Sequence, residues 1–241
     1  MRKSEEKTWA LNLLHQTKVF VFDFDDTLVD EQFSLIGRWD IVLSEYQAML
    51  NCDELAECFF DIFRKQGINY KRHVDDTLER LGIDQSYKQG IVKRFLAQQS
   101  TRELVLPGAT ELLSLLKRKG YEVALFTNGL RSVQRQRIEL AGIHGYFSYI
   151  QYGDCAGRKP DSSGFLHLSR QLNLADVSEL TMIGNSLDED YYGARAIGAR
   201  CILVDPRMGK GSPVTAVSNL EELYSRFAEV LDKEKDQWLE F

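Results

Sequence analysis

Little in this chain favours a thiolate metal site, a membrane span or a nucleic-acid surface. Its cysteines, Cys52, Cys58, Cys155 and Cys201, form no CxxC pair, and His15, His73, His144 and His167 are just as scattered. No zinc site is expected from such spacing. Unpaired cysteines fit a reducing compartment, so a cytoplasmic protein is expected. No stretch approaches the roughly 20 apolar residues of a membrane helix. The opening residues, Met1 to Lys7, run into no signal-peptide apolar core. Basic charge is in deficit, with 30 Lys and Arg against 36 Asp and Glu. That balance predicts no nucleic-acid partner, while a local cationic pocket still allows a small anionic substrate. No internal repeat is visible. The 44% hydrophobic and 27% charged content is that of a globular chain. Its 241 residues suit one large domain or a core plus an insertion.

The chain is arranged around residues 19–27, Val-Phe-Val-Phe-Asp-Phe-Asp-Asp-Thr. Four apolar residues in a row, Val19 to Phe22, are too few for a buried helix. Their β-branched and aromatic makeup suits a strand covered on both faces. Such a strand belongs at the centre of a parallel sheet, whose carboxyl edge is where α/β proteins bind ligands. Asp23, Asp25 and Asp26 follow at once. In an extended chain Asp23 and Asp25 point to one side. Two close carboxylates repel, which predicts a cation, a shared proton or a hydrogen-bond cage. The plainer reading is a solvated acidic turn.

Helical periodicity takes over in residues 31–103. Ile36, Trp39, Leu43, Tyr46 and Leu50 mark one helix. Asp53 is expected to cap a second, with Leu55, Phe59, Ile62 and Phe63 inside. Val74, Leu78 and Leu81 mark a third, and Asp84 caps a fourth with Tyr87, Ile91, Phe95 and Leu96. A small four-helix bundle inserted after the first strand is predicted. The run Asn69 to His73 reads as solvated surface, or as a loop touching substrate. Pro107-Gly108 punctuates the return to an α/β rhythm. Strands are expected at Tyr121 to Phe126, Tyr149 to Gln151, Leu180 to Ile183 and Cys201 to Val204, with helices between them. This pattern predicts an α/β fold with a doubly wound parallel sheet. The core domain would be residues 1–30 and 104–241, and the helical domain residues 31–103. Pro206 to Pro213 reads as a loop, and the end from Leu220 as an exposed helix.

Unusual polar residues stand where strands should end: Asp23 and Asp25, Thr127-Asn128-Gly129, Lys159, and Asn185 through Asp190. In this order, Asp-Phe-Asp-Asp-Thr-Leu, Thr-Asn-Gly, Arg-Lys-Pro and Gly-Asn-Ser-Leu resemble the signature stretches of the haloacid dehalogenase (HAD) superfamily of phosphohydrolases. The resemblance covers nearly the whole chain, in the form with a helical cap after the first strand. It implies a Rossmann-like core with an α-helical cap. It implies a magnesium (Mg2+)-dependent phosphatase of a small phosphorylated metabolite, either a nucleotide or a sugar phosphate. Asp23 would be the nucleophile and Asp25 the acid and base. Thr127, with the N–H groups of Asn128 and Gly129, would hold phosphoryl oxygens, and Lys159 would neutralise charge. Asp23, the Asp25 carbonyl, Asn185 and Asp190 would surround the metal. Chemistry agrees, because a carboxylate attacks without deprotonation and a positioned acid protonates a leaving alkoxide. Thr27 is expected to fix the acidic loop beside the substrate by local hydrogen bonds.

One residue departs from the family pattern. The metal segment usually begins Gly-Asp, and here it is Gly184-Asn185. The amide oxygen can still coordinate, but a formal charge is missing. Asp190 matches the second acid of this segment. Three alternatives remain beside the phosphatase. A phosphomutase of the same fold is one. A haloacid dehalogenase is another, although Asp25 argues against it because a leaving halide needs no acid. The third is a catalytically weak binding protein, supported only by Asn185. Each site residue also has a plainer reading: Thr127 and Asn128 as helix caps, Lys159 as a loop lysine, Asp188 and Glu189 as helix-start acids. A monomer or homodimer is expected, with no membrane partner.

Overall fold

The computed structural model of the chain describes residues 3–46, 48, 50–66, 70–207 and 215–232. In chain order the elements are α1 (Lys3–Gln16), β1 (Val19–Phe22), α2 (Glu31–Ser44), α3 (Cys52–Gln66), α4 (Tyr70–Arg80) and α5 (Gln85–Ala97). Then come α6 (Ala109–Arg118), β2 (Glu122–Thr127), α7 (Arg131–Leu140), β3 (Tyr149–Tyr152), α8 (Gly153–Ala156) and α9 (Ser162–Gln171). The chain continues with β4 (Leu180–Gly184), α10 (Gly193–Ala196), β5 (Arg200–Val204), β6 (Ala216–Val217) and α11 (Leu220–Leu231). Backbone contacts divide the chain into two compact units, Met1–Asp30 with Val105–Phe241, and Glu31–Leu104. No helix among the described residues is long and apolar enough to cross a membrane.

The first unit is an α/β layer structure. Its six-stranded sheet has the order β3-β2-β1-β4-β5-β6, and every pairing is parallel. From β1 the chain builds outward to β2 and β3, then crosses to β4, β5 and β6 on the other side. The reversal at β1 and β4 is the position where open α/β sheets bind ligands. Side chains alternate across the sheet. Phe20 and Phe22 of β1 face a core with Leu112 and Leu116 of α6 and Phe227 of α11. Val19 and Val21 face a second core with Phe165 and Leu168 of α9. Because both faces are covered, β1 has no polar residue until Asp23.

The two-residue strand β6 was outside the sequence expectation, since Ala216 and Val217 are too short a run to show a period. The C-terminal helix is corrected in part. Glu221 and Asp232 are exposed, but Leu223 and Phe227 are fully buried in the core. Residues beyond Asp232 lie outside the described residues, as does most of the Pro206 to Pro213 loop.

The second unit consists of α2, α3, α4 and α5. Trp39, Phe59 and Phe95 form its centre, with ring centroids 5.0 Å apart for Trp39–Phe59 and 4.6 Å for Trp39–Phe95. Asp84 caps α5 as expected, its side chain accepting from Ser86 N at 2.8 Å. Asp53 does not cap α3. The helix begins at Cys52, and Asn51 Oδ1 accepts from Glu54 N at 3.3 Å instead. His73 also overturns its solvated-surface reading. It is 1% exposed, and its ring lies against Phe59 and Phe63. Helix α4 starts at Tyr70, which turns His73 inward together with Val74 and Thr77. Asn69 lies outside the described residues.

Candidate active site

Phe22 pairs with Leu125 of β2 and with Ile183 of β4. Asp23, Thr127 and Gly184-Asn185 therefore leave the sheet as neighbours. Asp23 N donates to Ile183 O at 2.9 Å, which carries the ladder one residue past β1. The chain then turns sharply. Leu28 N and Val29 N donate to Phe24 O, and Asp26 takes a positive φ of 54°. Aspartate tolerates this left-handed conformation better than most residues. The turn brings buried Thr27 back, and its hydroxyl faces Asp23 Oδ2 and Asn185 Oδ1 at 3.4 Å each.

Lys159 is 4% exposed and is no surface loop lysine. Its Nζ donates to Asp23 Oδ1 and Asp190 Oδ1, both at 2.5 Å. Asp190 is fully buried, and its second oxygen accepts from Ser186 N at 2.9 Å. One ammonium thus stands between two buried carboxylates. Burial pushes the Asp23 carboxyl up to about 7, with Lys159 pulling it down and Asp190 adding to the rise. Burial pulls Lys159 down, but Asp190 and Asp23 outweigh it and hold the ammonium above the ordinary lysine value. The two shifts are consistent: Lys159 stays charged, and two anions sharing one cation leave negative charge in excess.

Asn128 joins three loops. Its Nδ2 donates to Lys159 O and to Glu189 Oε2, both at 2.9 Å, and its Oδ1 accepts from Lys159 N at 2.7 Å. The side-chain amide is therefore engaged with protein at both ends. Neither Thr127 nor Asn128 caps α7, whose N-cap is Leu130. Gly129 N donates to Thr127 Oγ1 at 3.3 Å. Beyond β4, residues Leu187–Tyr192 form a π-helical turn before α10. Ser186 caps that turn by accepting from Glu189 N.

Two residues that sequence reasoning passed over hold Asp25. Gln134 Nε2 donates to Asp25 Oδ2 at 2.6 Å and to Thr127 Oγ1 at 2.8 Å. Arg137 Nη1 donates to Asp25 Oδ1 at 2.5 Å. Both side chains are buried, although α7 reads Arg-Ser-Val-Gln-Arg-Gln-Arg-Ile-Glu-Leu and looks solvated. The available signal was their spacing with Ile138, since Gln134, Arg137 and Ile138 stand at i, i+3 and i+4 on one helix face.

A family model of haloacid dehalogenase-like hydrolases matches residues 17–198. The chain belongs to the haloacid dehalogenase-like hydrolases. It is similar to glyceraldehyde 3-phosphate phosphatase of Pyrococcus furiosus, 26% identical over 94% of this chain and 93% of that protein. It is also similar to phosphoglycolate phosphatase of Pseudomonas syringae pv. syringae, 26% identical over 82% of this chain and 72% of that protein. Among solved structures, the magnesium-bound HAD hydrolase YfnB of Bacillus subtilis has a TM-score of 0.68 at 21% identity. That comparison covers 88% of this chain and 98% of YfnB, and at this identity it is a likeness of fold.

Among the described residues of this HAD-like hydrolase, no three His, Cys, Asp or Glu side chains are grouped to hold a metal. The Asp25 carboxylate is engaged by α7, and the Asp190 oxygens are engaged by Lys159 and Ser186. Asp23 Oδ2 and Asn185 Oδ1 remain, both facing the Thr27 hydroxyl. These are hard oxygen donors, and a site with few of them suits magnesium, which keeps several waters.

Proposed function

We propose that the chain is a magnesium-dependent phosphatase of a small phosphorylated metabolite, acting through an aspartyl phosphate on Asp23. One observation carries this reading. A buried carboxylate stands at the carboxyl end of the central strand, with an ammonium 2.5 Å from one oxygen. Lys159 offsets the charge of the nucleophile and of an incoming phosphate.

In the first step an Asp23 oxygen attacks phosphorus in line. The phosphorus–oxygen ester bond breaks, and its electron pair passes to the leaving oxygen, which takes a proton from Asp25. In the second step water attacks phosphorus and gives a proton to Asp25. The bond from phosphorus to Asp23 breaks, releasing inorganic phosphate and restoring the carboxylate. The Thr127 hydroxyl and the Asn128 N–H hold phosphoryl oxygens, and Thr27 orients Asp23. Asp23 Oδ2, Asn185 Oδ1 and the Asp25 carbonyl would hold magnesium, which when bound screens nucleophile and phosphate from each other. Asp190 acts on Lys159. The four-helix unit Glu31–Leu104 follows the nucleophile loop directly and is assigned as the substrate-selecting cap.

The relatives' names support a small phosphate ester. The test is phosphate release from p-nitrophenyl phosphate with and without magnesium, followed by a metabolite panel. Glyceraldehyde 3-phosphate, phosphoglycolate, sugar phosphates and nucleotides belong on that panel. Magnesium-dependent release from the nitrophenyl ester and preference for one metabolite are expected. No release from any ester, with magnesium present and the protein folded, overturns the reading.

A further inference from the structure

We propose that Arg137, acting with Gln134, is a positioning residue that aims the Asp25 carboxylate at the leaving oxygen of the substrate. The proposal rests on the phosphatase reading, in which Asp25 is the leaving-group acid.

The geometry links the three side chains directly. Arg137 Nη1 donates to Asp25 Oδ1 at 2.5 Å and to Gln134 Oε1 at 3.0 Å. Gln134 Nε2 donates to the other oxygen, Asp25 Oδ2, at 2.6 Å. Each carboxylate oxygen is therefore fixed by a different donor, so both the place and the rotation of the group are set. The same Gln134 amide reaches Thr127 Oγ1 at 2.8 Å. It ties the acid to the hydroxyl assigned to the phosphoryl group and fixes the spacing of the two.

The supports are rigid. Gln134 and Arg137 are one turn apart on α7 and are 2% and 7% exposed. The guanidinium lies over the Phe24 ring at 5.1 Å, in the loop that carries Asp25. Gly129 leaves the space that Gln134 fills, since a Cβ there would stand 2.4 Å from Gln134 Cγ. A helix anchor alone needs no buried arginine, because burying a guanidinium is costly unless it is paired. Arg137 also retains its charge throughout the reaction. It therefore balances the negative charge that Asp25 gains when its proton passes to the leaving oxygen. That interaction strengthens in the transition state, so it bears on turnover more than on binding.

The test compares an alkyl phosphate, glyceraldehyde 3-phosphate, with p-nitrophenyl phosphate, whose leaving group departs readily without a proton. Turnover is measured for wild type, Arg137→Met, Arg137→Lys and Gln134→Met, and for Arg137→Met in an Asp25→Asn background. Arg137→Met should lose at least about tenfold more on the alkyl ester than on the nitrophenyl ester, a part of the 10²–10⁴ that a positioned acid supplies. The change should fall in kcat with KM little altered. Arg137→Lys should recover part of that ratio, and Gln134→Met should shift it the same way. In the Asp25→Asn background the ratio should not move further. Equal losses on both esters, or the same loss without the Asp25 carboxylate, would make Arg137 a structural residue and overturn the proposal. If Arg137→Met does not fold, Arg137→Lys and Gln134→Met decide it by the same ratio. A wild type that hydrolyses neither ester overturns the phosphatase reading and this proposal together. A wild-type phosphatase whose variants all keep its ratio overturns this proposal alone.

Discussion

A Cβ added to Gly184 would stand 2.2 Å from Oδ2 of Asp190. The last residue of β4 is therefore a glycine because the carboxylate that holds Lys159 occupies that space. Gly184→Ala should displace Asp190 and, through it, Lys159. Overpacking of this kind costs about 1–3 kcal/mol, and turnover should fall with stability. A thermal melt and a phosphate-release assay on the same sample check both. An alanine variant with the wild-type melt and rate would show that Asp190 has room to move.

Asp23→Asn should leave the fold intact and lower phosphate release by about 10³-fold or more, the scale of losing a nucleophile. Wild type with magnesium should be inhibited by beryllium fluoride, a mimic of the aspartyl phosphate, and Asp23→Asn should not bind it. Near-normal turnover in the pure variant would assign the nucleophile elsewhere.

Asn185 and Asp190 should respond differently to substitution. Asn185→Asp adds a carboxylate facing the Thr27 hydroxyl and Asp23, so less magnesium should be needed for half-maximal activity. Turnover need not rise, because tighter ground-state binding does not by itself stabilise a transition state. Asp190→Asn leaves Lys159 paired with Asp23 but removes one charge-assisted hydrogen bond from it, a change that costs about 1.5–3 kcal/mol. It should therefore appear first in the melting temperature. Magnesium titrations of activity and melts of both variants separate the roles. An unchanged magnesium requirement in Asn185→Asp, with a large rise in Asp190→Asn, would exchange the two assignments.

Acid should weaken the four-helix unit through His73. Among the described residues its buried Nδ1 has no hydrogen-bond partner, and burial lowers its pKa from the ordinary 6.5, against a smaller opposing effect of Asp76. Below 6.5 the unfolded chain binds a proton that the folded ring resists, so stability rises with pH through that window. The contribution is present above 6.5 and is lost as pH falls through the lowered value. The wild-type melting temperature should drop more between pH 7 and pH 5 than that of His73→Leu. Parallel curves for the two proteins would clear His73 of this role.

Neighbouring residues by themselves determined most of the elements and the ends of the central strands, though not the two-residue β6. Val19 to Phe22 could only be a strand covered on both faces, and the carboxylates after it had to emerge at its carboxyl edge. The spacing of Trp39, Phe59 and Phe95 with their apolar neighbours marked a helical unit, and Asp84 announced its own cap. These signals are local, since period and capping depend on residues within a turn or two. Partners distant in the chain were decided by tertiary structure alone. Arg137 meets Asp25 across 112 residues and Lys159 meets Asp23 across 136. The side-chain amide of Asn128 is drawn to Lys159 and Glu189, and His73 is turned into a core that its polar neighbours concealed. The physical reason is common to all of them. A polar side chain carries donors or acceptors in its identity, but strand order and register decide which distant group stands within 3 Å to meet them.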